Sequence, residues 1–160
     1  MTDARADILA RLRRGRRESP PPQRDYAPDT KIDAPLARFI LGLEKVSATH
    51  ETVTTEEQIP DAVERYLQRV NADKELMVAP AVMDSLLLTE SSLLLRAAPT
   101  SGDEESAVTL AYAGIAETGS LVMLSGADTP VTTNFLADNF ICILKTQDVL
   151  NDMEALWARL

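Results

Sequence analysis

The sequence predicts an α/β fold in which a mostly parallel sheet is flanked by helices. Short apolar runs alternate with segments whose apolar residues recur at helical spacing, which is the pattern of strand–helix–strand units. The runs are apolar almost throughout, as in strands covered on both faces of a sheet. With 160 residues, of which 45% are hydrophobic and 26% charged, the chain is large enough for one domain with a sizeable core.

The first elements are a short helix, a linker and a second helix. Residues 3–14 are predicted to be helical because their apolar side chains share one face. Three prolines at 20–22 indicate a stiff, extended linker. Pro35 is tolerated in the first turn of a helix, so we expect the second helix to run from Pro35 through Leu43. The apolar face of the first helix consists of Ile8, Leu9 and Leu12.

The middle of the chain contains a helix, two strands and a short helix between them. Thr55 and Gln58 match a capping box, but Pro60 would then lie inside the helix, so we start the helix at Pro60. Its inward-facing residues are predicted to be Ile59, Val63, Leu67 and Val70. The elements that follow are a strand over 76–79, a short helix over 82–87, a strand over 93–95, and an acidic loop over 102–106 that leads into Val108 and Leu110.

The C-terminal third continues the same alternation. Strands are predicted over 111–116, 121–124 and 141–144, a helix-like segment over 132–136, and a terminal helix over 148–160. Three large side chains in this part are interpreted as core residues rather than as a cofactor-binding cluster. They are Met123, Met153 and Trp157.

The charge distribution divides the chain into an arm, a linker and a body. We predict a basic N-terminal helix with the start of the linker over 1–19, the linker over 20–34, and a single α/β domain over 35–160. Residues 1–17 hold six arginines and two aspartates, which gives a net charge of +4. Since the whole chain has a net charge of −9, residues 18–160 carry −13. An acidic body repels phosphate backbones, so we expect no nucleic-acid binding. The arm is either an amphipathic helix with solvated arginines or a docking arm for an acidic surface.

Cysteine and histidine usage limits the metal chemistry and indicates the compartment. One cysteine and one histidine cannot form an iron–sulfur cluster or a structural zinc site, each of which needs about four ligands. We therefore expect no metal site and no cofactor in this chain. Cys142 is interpreted as a small buried hydrophobe, and His50 as a solvated loop or strand-end residue. The sequence has no membrane-length apolar run and no secretory signal, which predicts a cytoplasmic protein.

The segment from Gly114 to Gly126 carries the strongest functional signal. It places Glu117, Thr118 and Ser120 on a turn between two apolar runs, with Gly119 able to adopt a positive φ. A carboxylate beside apolar strands is suited to proton transfer or nucleophilic attack. The alternative from the residues alone is a structural turn whose glutamate caps a helix or binds backbone amides.

Ile115-Ala116-Glu117-Thr118-Gly119-Ser120-Leu121-Val122 closely resembles the Ile-Ala-Glu-Thr-Gly-Thr-Leu-Val signature of the LUD-domain family, to which lactate-utilization protein C belongs. Thr132-Thr133-Asn134-Phe135-Leu136 is similar to the family's Thr-x-x-Asn-Phe-Leu run, and the N-terminal helix with its proline-rich linker extends the resemblance over nearly the whole chain. Where the family has Pro-x-x-His, this chain has Ala137 to Phe140. The resemblance also implies a chain that lacks the family's usual C-terminal segment.

The resemblance implies a fold like that of ribose-5-phosphate isomerase, glucosamine-6-phosphate deaminase and the CoA transferases. It implies an accessory role in oxidising L-lactate to pyruvate beside partner proteins that carry the iron–sulfur clusters, with a small carboxylate as a possible ligand. Glu117 is then the candidate catalytic residue, and Thr118, Gly119, Ser120 and Asn134 are candidate ligand-binding residues. Two other functions stay open. One is a stand-alone CoA-transferase-like or sugar-phosphate-type enzyme using Glu117, and the other is a regulatory or scaffold module that docks through the arginine-rich arm.

Overall fold

A computed structural model of the chain describes residues 7–11, 32–84, 92–97 and 104–160. The helices are α1 at 7–11, α2 at Pro35–Lys45, α3 at Ile59–Val70, α4 at Pro80–Asp84 and α5 at Met153–Arg159. The strands are β1 at Glu75–Val78, β2 at Leu94–Ala97, β3 at Ser106–Leu110, β4 at Ala113–Ile115, β5 at Ser120–Val122, β6 at Asn139–Ile143 and β7 at Val149–Leu150. Short 3-10 turns lie at Glu56–Gln58, Val131–Asn134 and Thr146–Asp148.

The larger sheet has four parallel strands in the order β2-β1-β3-β6. Val78 on β1 is in register with Val108 on β3, which in turn faces Ile141 on β6. The side chains of such a row lie on one face of the sheet, and that face packs against α3 in the main hydrophobic core. The prediction of an α/β fold with a mostly parallel sheet is confirmed.

Helix α3 begins through the two signals that seemed to conflict in the sequence. The capping box of Thr55 and Gln58 closes the 3-10 turn at Glu56–Gln58, and α3 follows it directly with Pro60 in its first turn. Asn71 ends the helix in the left-handed conformation, at φ 56°. Val70 was predicted to face inward, which is wrong: it is 40% exposed at the last position of the helix. The inward residues of α3 are Ile59, Val63 and Leu67.

The smaller sheet has the order β5-β4-β7. Strands β4 and β5 form an antiparallel pair, whereas β4 and β7 are parallel. Helix α5 packs on this sheet through Leu156, which joins Ala113 and Ile115 in a second, small core. Helix α2 lies against β5 and β7.

The terminal helix predicted over 148–160 is shorter than expected. Val149 and Leu150 form β7 instead, and α5 starts after Asp152, whose side chain caps it by accepting a hydrogen bond from the Ala155 amide at 2.8 Å. The prediction that Met153 and Trp157 are core residues is also wrong, since they are 39% and 67% exposed. A helix of seven residues contacts the sheet along one face only, and Leu156 occupies that face.

The remaining predicted elements agree with the structure within their described parts. The N-terminal helix is present at 7–11, and α2 starts at Pro35 as expected. The predicted short helix over 82–87 starts two residues earlier, at Pro80. The rest of that prediction, most of the linker, and residues 102–103 of the acidic loop lie outside the described residues. The helix-like segment over 132–136 is the 3-10 turn at Val131–Asn134. None of the helices in the described ranges is long and apolar enough to cross a membrane.

Candidate functional site

The turn that carries Glu117 is held by backbone hydrogen bonds at the end of β4. The Gly119 amide donates to the Ile115 carbonyl at 2.8 Å, which closes the turn. The Ala116 and Glu117 amides donate to the carbonyls of Leu150 and Asn151 at 2.8 and 2.9 Å. The end of β7 therefore fixes the backbone up to Glu117, and the Gly119–Ile115 hydrogen bond fixes the turn that follows it.

Gly119 has φ 72°, as the sequence predicted, and its missing side chain makes room for helix α2. A Cβ built on Gly119 would lie 2.6 Å from the Cα of Gly42, and a Cβ built on Gly42 would lie 2.5 Å from the Cα of Gly119. Two glycines thus bring the helix backbone and the turn backbone into direct contact. The close approach that Gly119 allows is therefore made by the backbone of α2.

The side chains of the turn differ in their access to solvent. Glu117 is half-buried, whereas Thr118 and Ser120 are exposed. The Thr118 hydroxyl donates to the Ser120 hydroxyl at 2.8 Å between the two oxygens. Ser120 therefore keeps its own proton as a hydrogen-bond donor towards solvent or a ligand. One carboxylate and one available hydroxyl donor can together hold a small polar ligand at the surface.

Asn134 lies on a different element from the Glu117 turn. It ends the 3-10 turn at Val131–Asn134, which packs against β3 of the larger sheet. The structure thus brings Glu117, Thr118, Gly119 and Ser120 together on one turn and places Asn134 on another.

The 3-10 turn also buries a hydroxyl that the sequence did not single out. Thr133 is fully buried, and neither its Oγ1 nor the Oδ1 of Asn134 has a hydrogen-bond partner among the described residues. A buried polar atom without a hydrogen-bond partner lowers the stability of the fold. The 3-10 turn beside β3 therefore contains two buried oxygens whose hydrogen-bonding capacity is not used within the described residues. The paired threonines at 132 and 133 were a signal of polar character, but nothing in their spacing indicates which of the two is buried.

The two residues with metal-binding or nucleophilic chemistry lie apart. His50 is exposed between α2 and the first 3-10 turn, as predicted. Cys142 lies half-buried on β6, and burial of its thiol raises the pKa from 9.0 to about 12. The thiol is thus neutral at physiological pH and a poor nucleophile. In the described ranges, no three His, Cys, Asp or Glu side chains are grouped so as to hold a metal ion.

The stretch of sequence that contains the turn has charged side chains of one sign only. Residues 97–144, called here the acidic segment, contain no lysine, arginine or histidine. They contain six carboxylates, at Asp103, Glu104, Glu105, Glu117, Asp128 and Asp138. This segment therefore carries a net charge of −6 in the sequence, whereas α2, which packs against β5 and β7, contains Arg38 and Lys45.

Comparisons with known proteins give one match. Residues 100–160 match the family model of the LUD domain, a domain associated with lactate-utilization proteins. The match begins shortly before β3 and includes the Glu117 turn, the 3-10 turn with Asn134, and α5. Searches among curated proteins and among solved structures found no significant match.

Proposed function

We propose that this protein is an accessory component of L-lactate oxidation to pyruvate, acting with iron–sulfur partner proteins. The observation that carries the proposal is the LUD-domain match over 100–160, which contains the whole Glu117 turn. The turn combines a half-buried carboxylate with a hydroxyl donor on a backbone fixed by β7 and α2. These are groups that can bind a small hydroxy acid and accept its proton.

The small number of cysteine ligands in this chain supports the proposal that partner proteins carry the iron–sulfur clusters. The oxidation of lactate releases two electrons, which need an acceptor. The chain has a single cysteine, and burial holds the pKa of that thiol at about 12. An iron–sulfur cluster normally needs four thiolates, so in this proposal the electrons pass to clusters on the partners.

Within this proposal, Glu117 accepts a proton or anchors the ligand, and Ser120 donates a hydrogen bond to a ligand oxygen. Thr118 orients Ser120 by donating to its oxygen. Gly119 acts through the backbone, because it allows α2 to support the turn. Asn134 contributes from its own 3-10 turn, which packs against β3, only if the ligand extends that far.

The test is lactate-dependent electron transfer in a mixture reconstituted from the iron–sulfur partners. Turnover is measured with the intact chain, without it, and with Glu117→Gln, which removes the charge and keeps the shape. We expect the intact chain to restore turnover and Glu117→Gln to lower it by about 10²- to 10⁴-fold, the range for removing a positioned acid–base group. Glu44→Gln, at an exposed position on α2, is the matched control and keeps full turnover.

Two results would contradict the proposal. If the intact chain changes nothing, the role in lactate oxidation is wrong. If Glu117→Gln lowers turnover only in proportion to a loss of folded protein, measured by thermal unfolding, the glutamate is a structural residue of the turn.

A second candidate is acyl transfer with Glu117 as the nucleophile. It is favoured by the Glu-x-Gly turn at the end of a buried strand and opposed by α2, which already occupies the space beside Gly119. In this reaction a Glu117 oxygen attacks the acyl-CoA carbonyl and expels the CoA thiolate. The thiolate then attacks the glutamyl carbonyl, which releases the carboxylic acid and leaves a thioester on Glu117. Mass spectrometry after incubation with acyl-CoA detects that adduct, and its absence excludes this candidate.

A further inference from the structure

Four large apolar side chains are exposed within a short stretch of the acidic segment. Phe135 is 77% exposed, and the others are between 43% and 46% exposed. These four side chains, called here the 124–136 patch because they lie close together in the sequence, are Leu124, Val131, Phe135 and Leu136. Asp128 and Asp138 are exposed beside it in the sequence. An exposed apolar patch with charged neighbours is typical of an interaction site.

The N-terminal arm carries the complementary properties. Within α1, Ile8 is 58% exposed and Leu9 is 42% exposed, so the apolar side of this helix is also uncovered. The arm over 1–17 has a net charge of +4, whereas the acidic segment over 97–144 has −6. One chain thus contains two uncovered apolar surfaces of opposite charge.

We propose that the N-terminal arm docks on the 124–136 patch of its own chain. Ile8 and Leu9 would cover Phe135 and its apolar neighbours, and the arginines would lie near Asp128 and Asp138. Burial of apolar surface stabilises such a contact, and the opposite charges speed its formation and fix its orientation.

The linker makes an intramolecular contact geometrically accessible. Residues 18–34 can span at most roughly 60 Å when extended, which exceeds the roughly 35 Å diameter expected for a domain of the size of 35–160. Linking two binding surfaces through a short connection can raise their effective concentration to about the millimolar range. The arm of the same chain therefore has an advantage over that of a second copy at ordinary protein concentrations.

The experiment places a nitroxide spin label on the arm of the full chain. Thr2→Cys is labelled in a Cys142→Ala background, and the broadening of backbone amide NMR signals is measured against the reduced label. We expect broadening at residues 124–138 in about 0.1 M salt. It should weaken in about 1 M salt, where the Debye length falls from about 10 Å to about 3 Å.

Variants separate docking from random contact. Ile8→Ser with Leu9→Ser keeps every arginine, and Phe135→Ser keeps every acid, yet each should remove the broadening at 124–138. Leu94→Ser is the matched control for Phe135, because Leu94 is 65% exposed on the edge strand β2, and it should leave the broadening unchanged.

Three outcomes would overturn the proposal. One is the absence of broadening at 124–138, and another is equal broadening over the whole surface. The third comes from mixing spin-labelled protein with isotope-labelled protein that has no spin label. Broadening at 124–138 in that mixture would assign the patch to the arm of a second copy.

Discussion

The two sheets of this protein are stabilised in different ways. In the four-stranded sheet, β1 and β3 are almost fully buried, and large side chains of α3 fill the core on one face. In the three-stranded sheet, two of the strands have three residues and one has two, and its buried cluster contains only Ala113, Ile115 and Leu156. Its contact with α2 relies on glycines that allow backbones to touch.

This difference explains why the recognisable Glu-Thr-Gly motif lies beside the smaller sheet. A core filled by large side chains tolerates exchanges that conserve volume, so it leaves no strict pattern in the sequence. A backbone contact between Gly42 and Gly119 has no substitute, because any side chain at either position would collide with the other backbone. The Glu-Thr-Gly motif is therefore in part a packing motif, because its glycine allows the backbone of α2 to contact the turn.

Truncation in the larger core should have the largest effect on stability. Leu67 is 1% exposed on α3, and Leu67→Ala removes buried apolar volume and leaves a cavity. We expect a loss of about 2–5 kcal/mol in the free energy of unfolding, measured by urea denaturation. Leu41→Ala, at a position 51% exposed on α2, should change it by less than about 0.5 kcal/mol. Equal losses in both variants would contradict the assigned core.

Gly42→Ala should reverse the usual effect of this substitution in a helix. Alanine ordinarily stabilises a helix interior by about 1 kcal/mol relative to glycine. Here its Cβ would lie 2.5 Å from the Gly119 Cα, so we expect a net loss of about 1–3 kcal/mol from overpacking. Hydrogen exchange should show the lost protection in β4 and β7 rather than in β1 and β3.

A matched glycine tests whether that loss comes from the close approach. A Cβ on Gly126 would meet only the Thr129 hydroxyl, at an ordinary 3.7 Å, so Gly126→Ala should change the free energy of unfolding by less than about 0.5 kcal/mol. A stabilised Gly42→Ala variant would show that α2 does not rest on the turn.

The smallest effect is expected from thiol reagents on the native chain. Burial raises the pKa of Cys142 from 9.0 to about 12, so the thiolate fraction at pH 8 is roughly a thousandfold lower than for a free cysteine. Iodoacetamide should therefore modify the urea-unfolded chain rapidly and the native chain very slowly, as followed by mass spectrometry.

The same shift has a defined sign for stability. The unfolded chain loses the thiol proton at lower pH than the folded chain does, so the contribution of Cys142 is fully present below about pH 9 and is lost as the pH rises towards 12. Rapid modification of the native thiol at pH 8 would contradict the burial of its sulfur.

The sequence predicted the larger sheet better than the smaller one. Strands β1, β2 and β6 were predicted as apolar runs, and their alternation with helices was enough to predict a mostly parallel sheet. Strand β7 was missed because Val149 and Leu150 also fit the apolar stripe of a helix. Only the partner residues Gly114 and Ile115, far away in the sequence, decide that these two residues are extended.

The candidate site could be predicted in part. The positive φ of Gly119 followed from the turn itself, and adjacent residues such as Thr118 and Ser120 had to lie close to Glu117. The contact with Gly42 is long-range, although a glycine inside a predicted helix is a known signal of close packing. The burial of Thr133 depends on how the 3-10 turn rests on β3, which no local pattern encodes.

The order of the strands has a consequence during synthesis. Strand β3 can pair with β1 as soon as residue 110 is available, but its other neighbour, β6, ends at residue 143. At a translation rate of about 5–20 residues per second, the intervening 33 residues take roughly 2–7 s. For that interval the nascent chain presents one unpaired edge of a buried, apolar strand, and a chaperone that shields it would have its greatest effect there.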